Sequence, residues 1–463
     1  MVLATAPERG TSGSPATAGR PPYRRRALLA GAIVAAALLA AGVVVADRRA
    51  GGHASAPAAG HPDLAATPTG PAAIQQLEAR TASDPKDLPA WQELSRRYLQ
   101  QAIATSDPAY YDLTRRALDR ATALAPGDHA TTVTEGVLAL SLHDFAGALE
   151  KGRTAHQQVA EDPDALSILI DASVELGHYD DAAAHVAELL ERRPGSAALS
   201  RLSYLRELHG DLEGARLAML QAEQATSAAY DRATIATFVG DQLLAARDLS
   251  GAGSAYERAH GAQPGLTTTD IGQARLQAAQ GHLDDAIATV SAVVERTPAP
   301  AAATLLAELQ QAAGRETDAA ASFALAEAGT KLLVAAGSTV DLESAVFTAD
   351  HGNPADAVAL AQRAYAARQT VFTADALGWA LTRSGRAGEG LPYVAEALGL
   401  GTRSPGLHVH AAVAYAAAGQ DPAAAGELQV AFTSSAWLVP ALRADAAALA
   451  DRLGVTVPPD WRP

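Results

Sequence analysis

GHYDDAAAHVAEL, residues 177–189, sets a register: a turn glycine at 177, a small residue five places on at Ala182, a bulky apolar residue at Val186 and a closing position at Leu189. The register returns as Gly210-Ala215-Met219-Ala222, Gly281-Ala286-Val290-Val293, Gly314-Ala319-Phe323-Ala326 and Gly419-Ala424-Leu428-Ala431. Weaker copies run Gly352-Ala357-Ala361-Ala364 and Gly385-Gly390-Val394-Ala397, and in two more His143 and Arg247 stand where the glycine should be. Successive turn positions lie 33 to 38 residues apart. Such a period holds two helices of about 12 residues and two short turns. Alanine at the crossing lets the second helix approach the first, and the bulky residue one turn later fills the gap to the next hairpin. A lone hairpin cannot bury both faces, so the reading is one elongated all-α solenoid of ten stacked hairpins.

Trp91, Leu94 and Tyr98 followed by Leu118, Ala121 and Pro126, and then Gly240, Ala252, Tyr256, Ala259 and Pro264, carry a further likeness, with closing prolines at Pro163, Pro194 and Pro298. In these positions the chain resembles the tetratricopeptide-repeat (TPR) family. The resemblance implies a right-handed superhelical array of about ten hairpins over residues 72–436, then a capping helix and tail over 437–463 whose Arg443, Asp445 and Asp451 suit a solvent-facing end. Residues 203–215, 341–352 and 374–403 look similar to bacterial membrane-anchored or exported repeat proteins of unknown partner, a likeness spanning residues 74–453. It brings no catalytic residue with it, because these repeats serve as binding surfaces in unrelated pathways.

Residues 27–46 are 20 uncharged, apolar positions, enough at 1.5 Å per residue to cross a hydrocarbon core of about 30 Å. Arg9, Arg20, Arg24, Arg25 and Arg26 precede the run, whereas Arg48 and Arg49 follow beside Asp47. The bias predicts a transmembrane signal-anchor helix with residues 1–26 as a cytoplasmic tail and the repeats outside. Small residues at 44–46 and 54–56 keep cleavage and secretion open, and Arg25-Arg26-Ala27-Leu28-Leu29 resembles a twin-arginine export signal with Arg24 replacing the usual hydroxyl residue. Residues 47–71, rich in Pro, Ala and Gly, read as a disordered spacer.

Past residue 46 the chain holds 31 basic and 50 acidic residues, a balance that repels phosphate backbones and argues against nucleic-acid binding. Cysteine is absent, which excludes disulfides and thiol chemistry. No phosphate loop or nucleophile elbow occurs and only three lysines are present, so an enzyme is not expected, nor any cofactor.

His143, His178, His209, His282 and His351 fall at hairpin turns and read as a solvated row spaced too widely for one metal. His408 and His410, two apart, face opposite ways on a helix, and Asp341, Glu343, Asp350 and His351 read as helix-end residues before they read as a metal cluster. Two segments exceed the repeat length, one at Asp107-Pro108 inside the first hairpin and one over residues 329–342, and both are expected as edge insertions.

The inner wall should be made by the first helix of each hairpin. Its partner-binding candidates are Tyr204, Asp241, Glu308, Asp375 and Trp379, an aromatic and acidic set suited to a basic, aliphatic peptide or helix. On this reading Trp379→Ala would weaken binding and leave stability intact. The function expected is a membrane-anchored, extracytoplasmic protein-interaction scaffold. The alternative is an exported accessory protein that captures a ligand or metal through Trp379 and His351, and an unused inner face also remains open.

Overall fold

The computed structural model describes residues 71–105 and 107–462, so the apolar run 27–46, the tail 1–26 and the spacer up to residue 70 lie outside the described residues. Among the described residues every regular element is a helix. After α1 (Pro71–Ser83) come ten hairpins: α2 (Leu88–Thr105) with α3 (Ala109–Leu124), α4 (His129–Ser141) with α5 (Phe145–Gln158), α6 (Pro163–Glu175) with α7 (Tyr179–Arg192), α8 (Ser196–Leu208) with α9 (Leu212–Gln224), and α10 (Ala229–Ala245) with α11 (Leu249–Ala262). The second five are α12 (Thr267–Ala279) with α13 (Leu283–Arg296), α14 (Pro300–Ala312) with α15 (Glu316–Ala335), α16 (Asp341–His351) with α17 (Pro354–Ala367), α18 (Val371–Arg383) with α19 (Ala387–Ala397), and α20 (Pro405–Ala417) with α21 (Asp421–Ser434). A last helix, α22 (Pro440–Leu453), precedes a short 3-10 turn at Pro459–Trp461. No described helix is long and apolar enough to cross a membrane.

The register explains the pairing within hairpins. Ala182, Ala215, Ala286, Ala319 and Ala424 are buried at the crossings, with Val186, Met219, Val290 and Leu428 buried one turn later. Enlarging Ala182, Ala286 or Ala424 to leucine should therefore cost about 1–3 kcal/mol through overpacking. Thermal melts of the purified array check this; unchanged melting temperatures would refute the register.

The turns carry the left-handed backbone that glycine tolerates best, at Gly177, Gly210, Gly281, Gly314, Gly385 and Gly419. Gly352 departs from this pattern: its backbone is extended, and the Asn353 side chain accepts from the Ala355 amide to start α17 instead. The long segment after residue 329 also differs from expectation. Its extra residues lengthen α15 to 20 residues rather than forming a loop, and the helix stops at Gly337, whose φ is +88°.

The array closes on itself. The internal turn of each early hairpin meets the start of the hairpin six places later. His143, after α4, places Nδ1 3.0 Å from the Thr339 carbonyl before α16, and the Thr339 amide donates to Leu142 O. Glu175, at the end of α6, pairs with Arg368, and Tyr179 accepts from the Val371 amide at 3.2 Å. A Cβ at Gly177 would collide with the Gln369 carbonyl, and one at Gly210 with that of Gly401. Arg247 donates to Phe432 O and Ser435 O at 3.2 and 2.9 Å. Among the described residues His143 and Arg247 are the non-glycine residues with positive φ, at +61° and +66°, and both use their side chains to bind the adjoining coil. His143 is thus a buried seam residue and not a solvated one, because the next coil covers it.

Candidate functional site

The first helices of the hairpins are buried nearly all round. In α18 every residue from Val371 to Thr382 is buried, and in α14 every residue from Pro300 to Gln310. The inner wall expected to face a partner is instead consumed inside the molecule. Asp171 on α6 illustrates the consequence: Arg201 of α8 grips both its oxygens at 2.9 and 2.6 Å, while burial pushes its carboxyl up to about 6 against the pull of that guanidinium.

The helix α22 contributes to this closure. Besides its neighbours α20 and α21 it packs against α14, four hairpins back. Leu442, Ala446, Ala447 and Ala450 form its buried face, whereas Asp445 and Asp451 remain exposed. It is therefore a cap on its outer side and an inward packing element on the other. Asp445 sits 3.7 Å from Arg383 of α18; partial desolvation against the protein surface raises its carboxyl pKa, Arg383 opposes the shift and the charge of Asp350 adds to it.

Beneath α22 lie three of the five expected site residues. Glu308 is buried and 3.1 Å from His351 Nε2, whose ring tilts against Phe323 and Phe347 at 4.4 and 5.2 Å. Asp375 is buried and holds His410 Nδ1 at 3.0 Å from each oxygen. Trp379, 1% exposed, stacks on His410 at 4.1 Å, donates from Nε1 to Asp350 at 2.7 Å and receives Arg383 over its ring at 5.3 Å. Between Glu308, Asp350, His351 and Arg383 on one side and Leu442 on the other remains a crevice of only about 30 Å³, room for a water or so.

The other two candidates belong elsewhere. Tyr204 is buried in the cluster that joins α6 and α8 to α16 and α18. Asp241 on α10 is partly exposed and accepts from the Tyr256 hydroxyl at 2.6 Å. The structure thus joins Asp375 and Trp379 through His410, sets the Glu308–His351 pair apart from them under the same helix, and keeps Tyr204 and Asp241 elsewhere. His408 and His410 do part company as expected: His408 Nδ1 meets Glu427 at 2.6 Å. Asp341 pairs with Arg363 at 3.2 Å, away from His351 and its Glu308 contact.

The network has a pH signature. His410 has a raised pKa: burial opposes its charge, but Asp375 and then Asp350 outweigh burial, with Arg383 working against them. A histidine raised on folding stabilises fully below its unfolded value of about 6.5 and loses that contribution as pH rises through the folded one. Melting temperature should fall across that window, and Asp375→Asn should flatten the fall. An unchanged slope in the variant would remove His410 as its source.

With the geometry established, its kinship can be stated. A sequence model described as Tetratricopeptide repeat matches residues 139–203 and 243–309. Over those two stretches the chain carries tetratricopeptide repeats. Repeats of this family build protein-interaction scaffolds, typically without catalysis. Similar solved structures include the APC/C hetero-tetramer Cut9–Hcn1, with 14% identity over 82% of this chain and 89% of that one at a TM-score of 0.32. The human IFIT1 dimer with PPP-AAAA shows 13% identity over 71% and 77% at a TM-score of 0.45. A tetratricopeptide repeat protein from Parabacteroides merdae shows 16% over 57% and 99% at a TM-score of 0.37. No curated protein matches the chain.

Two features escaped the reading of the inner wall. Most positions of the buried first helices are apolar or small, as in PGLHVHAAVAYAA of α20 apart from His408, His410 and Tyr415, and a helix of that composition belongs in a core. The inward role of α22 has no comparable local signal.

Proposed function

We infer that this protein is a protein-interaction scaffold held at the cytoplasmic membrane by residues 27–46, with its N-terminus inside and its repeats outside. The observation that supports scaffolding is the stack itself, which spends the first helices on internal packing and leaves the second helices to present the surface. At turns away from the seam this surface is acidic: Asp284 and Asp285 open α13, and Glu316 and Asp318 open α15, all exposed. Acidic first turns also favour their own helix dipoles. A partner with basic segments suits that surface, and the attraction should fade with salt because exposed charges are screened within about 8 Å at physiological ionic strength. Partner entry at the inner wall would require α22 to leave it.

The topology rests on five arginines before the apolar run against two close behind it. A reporter active only outside the cytoplasm, fused after Pro463, is expected to be active, and deleting residues 24–26 should weaken export. Activity from a cytoplasmic reporter alone would reverse the assignment. Crosslinking capture from native membranes then tests scaffolding. The intact chain should retain basic partners that a chain carrying Asp284→Lys, Asp285→Lys, Glu316→Lys and Asp318→Lys loses at low salt, and equal capture by both would reject the acidic surface.

A further inference from the structure

The seam closes at four successive positions, and at a fifth it stays open. The six-hairpin offset brings the turn of the first hairpin, with Thr105, Asp107 and Pro108, opposite residues 298–300 at the start of α14, and a cavity of about 270 Å³ separates them. Both departures from repeat length meet at this place. One is the stretch between α2 and α3; the other is the extension of α15, which supplies Gly329, Leu332 and Leu333 to the wall. Arg115 ties the two together across 221 positions of sequence by donating to Ala336 O at 2.6 Å. Each insertion alone would be a tolerated irregularity, but together they build a chamber that the repeat period does not require.

The chamber is mainly apolar, lined by Ala102, Pro298, Pro300, Leu333 and Val340, with Leu332 at 60% and Val334 at 54% exposure flanking it. Its polar members are specific. Tyr111 lines it and is buried as a residue, and its hydroxyl is a group able to donate to a guest. His143 faces the Thr339 carbonyl through Nδ1, which donates there. Ser141 donates to Val137 O and keeps its own acceptor capacity. Asp107 is the charged lining residue, and no lysine or arginine lines the wall, so an anion would be repelled. A volume just under the roughly 300 Å³ where drug-sized sites begin suits a small guest.

We propose that this cavity binds an uncharged, chiefly apolar molecule of one to two rings, or an acyl group of equal bulk, carrying one oxygen that accepts from Tyr111. The site is independent of any protein partner and of the acidic surface. Benzophenone, neutral and bearing one carbonyl, is the probe: it is photoactivated on the full chain in its native membrane and the labelled positions are read by peptide mass spectrometry. Labelling is expected to concentrate in α2, α3 and the C-terminal part of α15. Ser338→Trp, which fills the cavity from its partly exposed rim, should lower labelling there by about tenfold or more. Tyr111→Phe should lower it by about threefold or more at subsaturating probe while the melting temperature holds. 1,1-Diphenylethylene, similar in shape and lacking the oxygen, should compete less well against wild type than 4-methylbenzophenone and equally well against Tyr111→Phe; that comparison holds even if Ser338→Trp fails to fold. Labelling spread over all hairpins, or competition indifferent to the oxygen in wild type, would overturn the proposal.

Discussion

Replacing Trp379 by alanine is expected to cost about 3–5 kcal/mol of stability, the range for deleting a large buried aromatic side chain. The indole is 1% exposed, stacked on His410 and hydrogen-bonded to Asp350, so its loss leaves a cavity and also removes the donor from a partly buried carboxylate. Trp91 provides the comparison. It is only partly buried in α2, with Nε1 donating to Pro85 O, and its truncation should cost much less. Thermal and denaturant melts of residues 71–463 measure both. Unchanged stability with weakened partner binding would return Trp379 to the role of a surface contact.

Substituting Gly177 by alanine should be nearly as damaging, whereas the same change at Gly419 should be mild. Both glycines have a left-handed backbone, at φ of +80° and +75°, so each variant bears about 1–2 kcal/mol of local strain. At Gly419 nothing stands within 4 Å of the new methyl group. At Gly177 it meets the Gln369 carbonyl of the adjoining coil, and forcing two backbones apart adds about 1–3 kcal/mol. Gly210 should follow Gly177. Equal losses at Gly177 and Gly419 in denaturant melts would mean that the coils do not touch in solution.

These contrasts show what the sequence could and could not disclose. The hairpins were legible because each needs only a local register, and Gly177 and Gly419 obey it identically. Their different surroundings were not, since the neighbour of Gly177 lies on a segment 192 residues away in sequence and no periodicity points to it. The substitutions at positions 143 and 247 were a partial clue, because a side chain that accepts left-handed strain usually has a reason to be there. The burial of Glu308, Asp375 and Trp379 went unread for a related cause. Choosing the face opposite the partner helix assumes an open bore, and Asp375 and Trp379 fall on that face while α22 and neighbouring first helices bury it. Polar residues on such a face are read as solvent-seeking until their internal partners, here His410 and Asp350, are known.

The contact between coils also bears on how the chain reaches this state. A linear repeat array assembles by nearest-neighbour steps and can start anywhere, so its folding rate hardly reflects its length. Here Glu175 and Tyr179 await Arg368 and Val371, 193 and 192 residues later, and each such bond can form only after a loop of that size has closed. Contacts so distant raise the contact order toward that of sheet proteins and slow the final step. During synthesis the early hairpins must stand with one edge uncovered until the last four emerge.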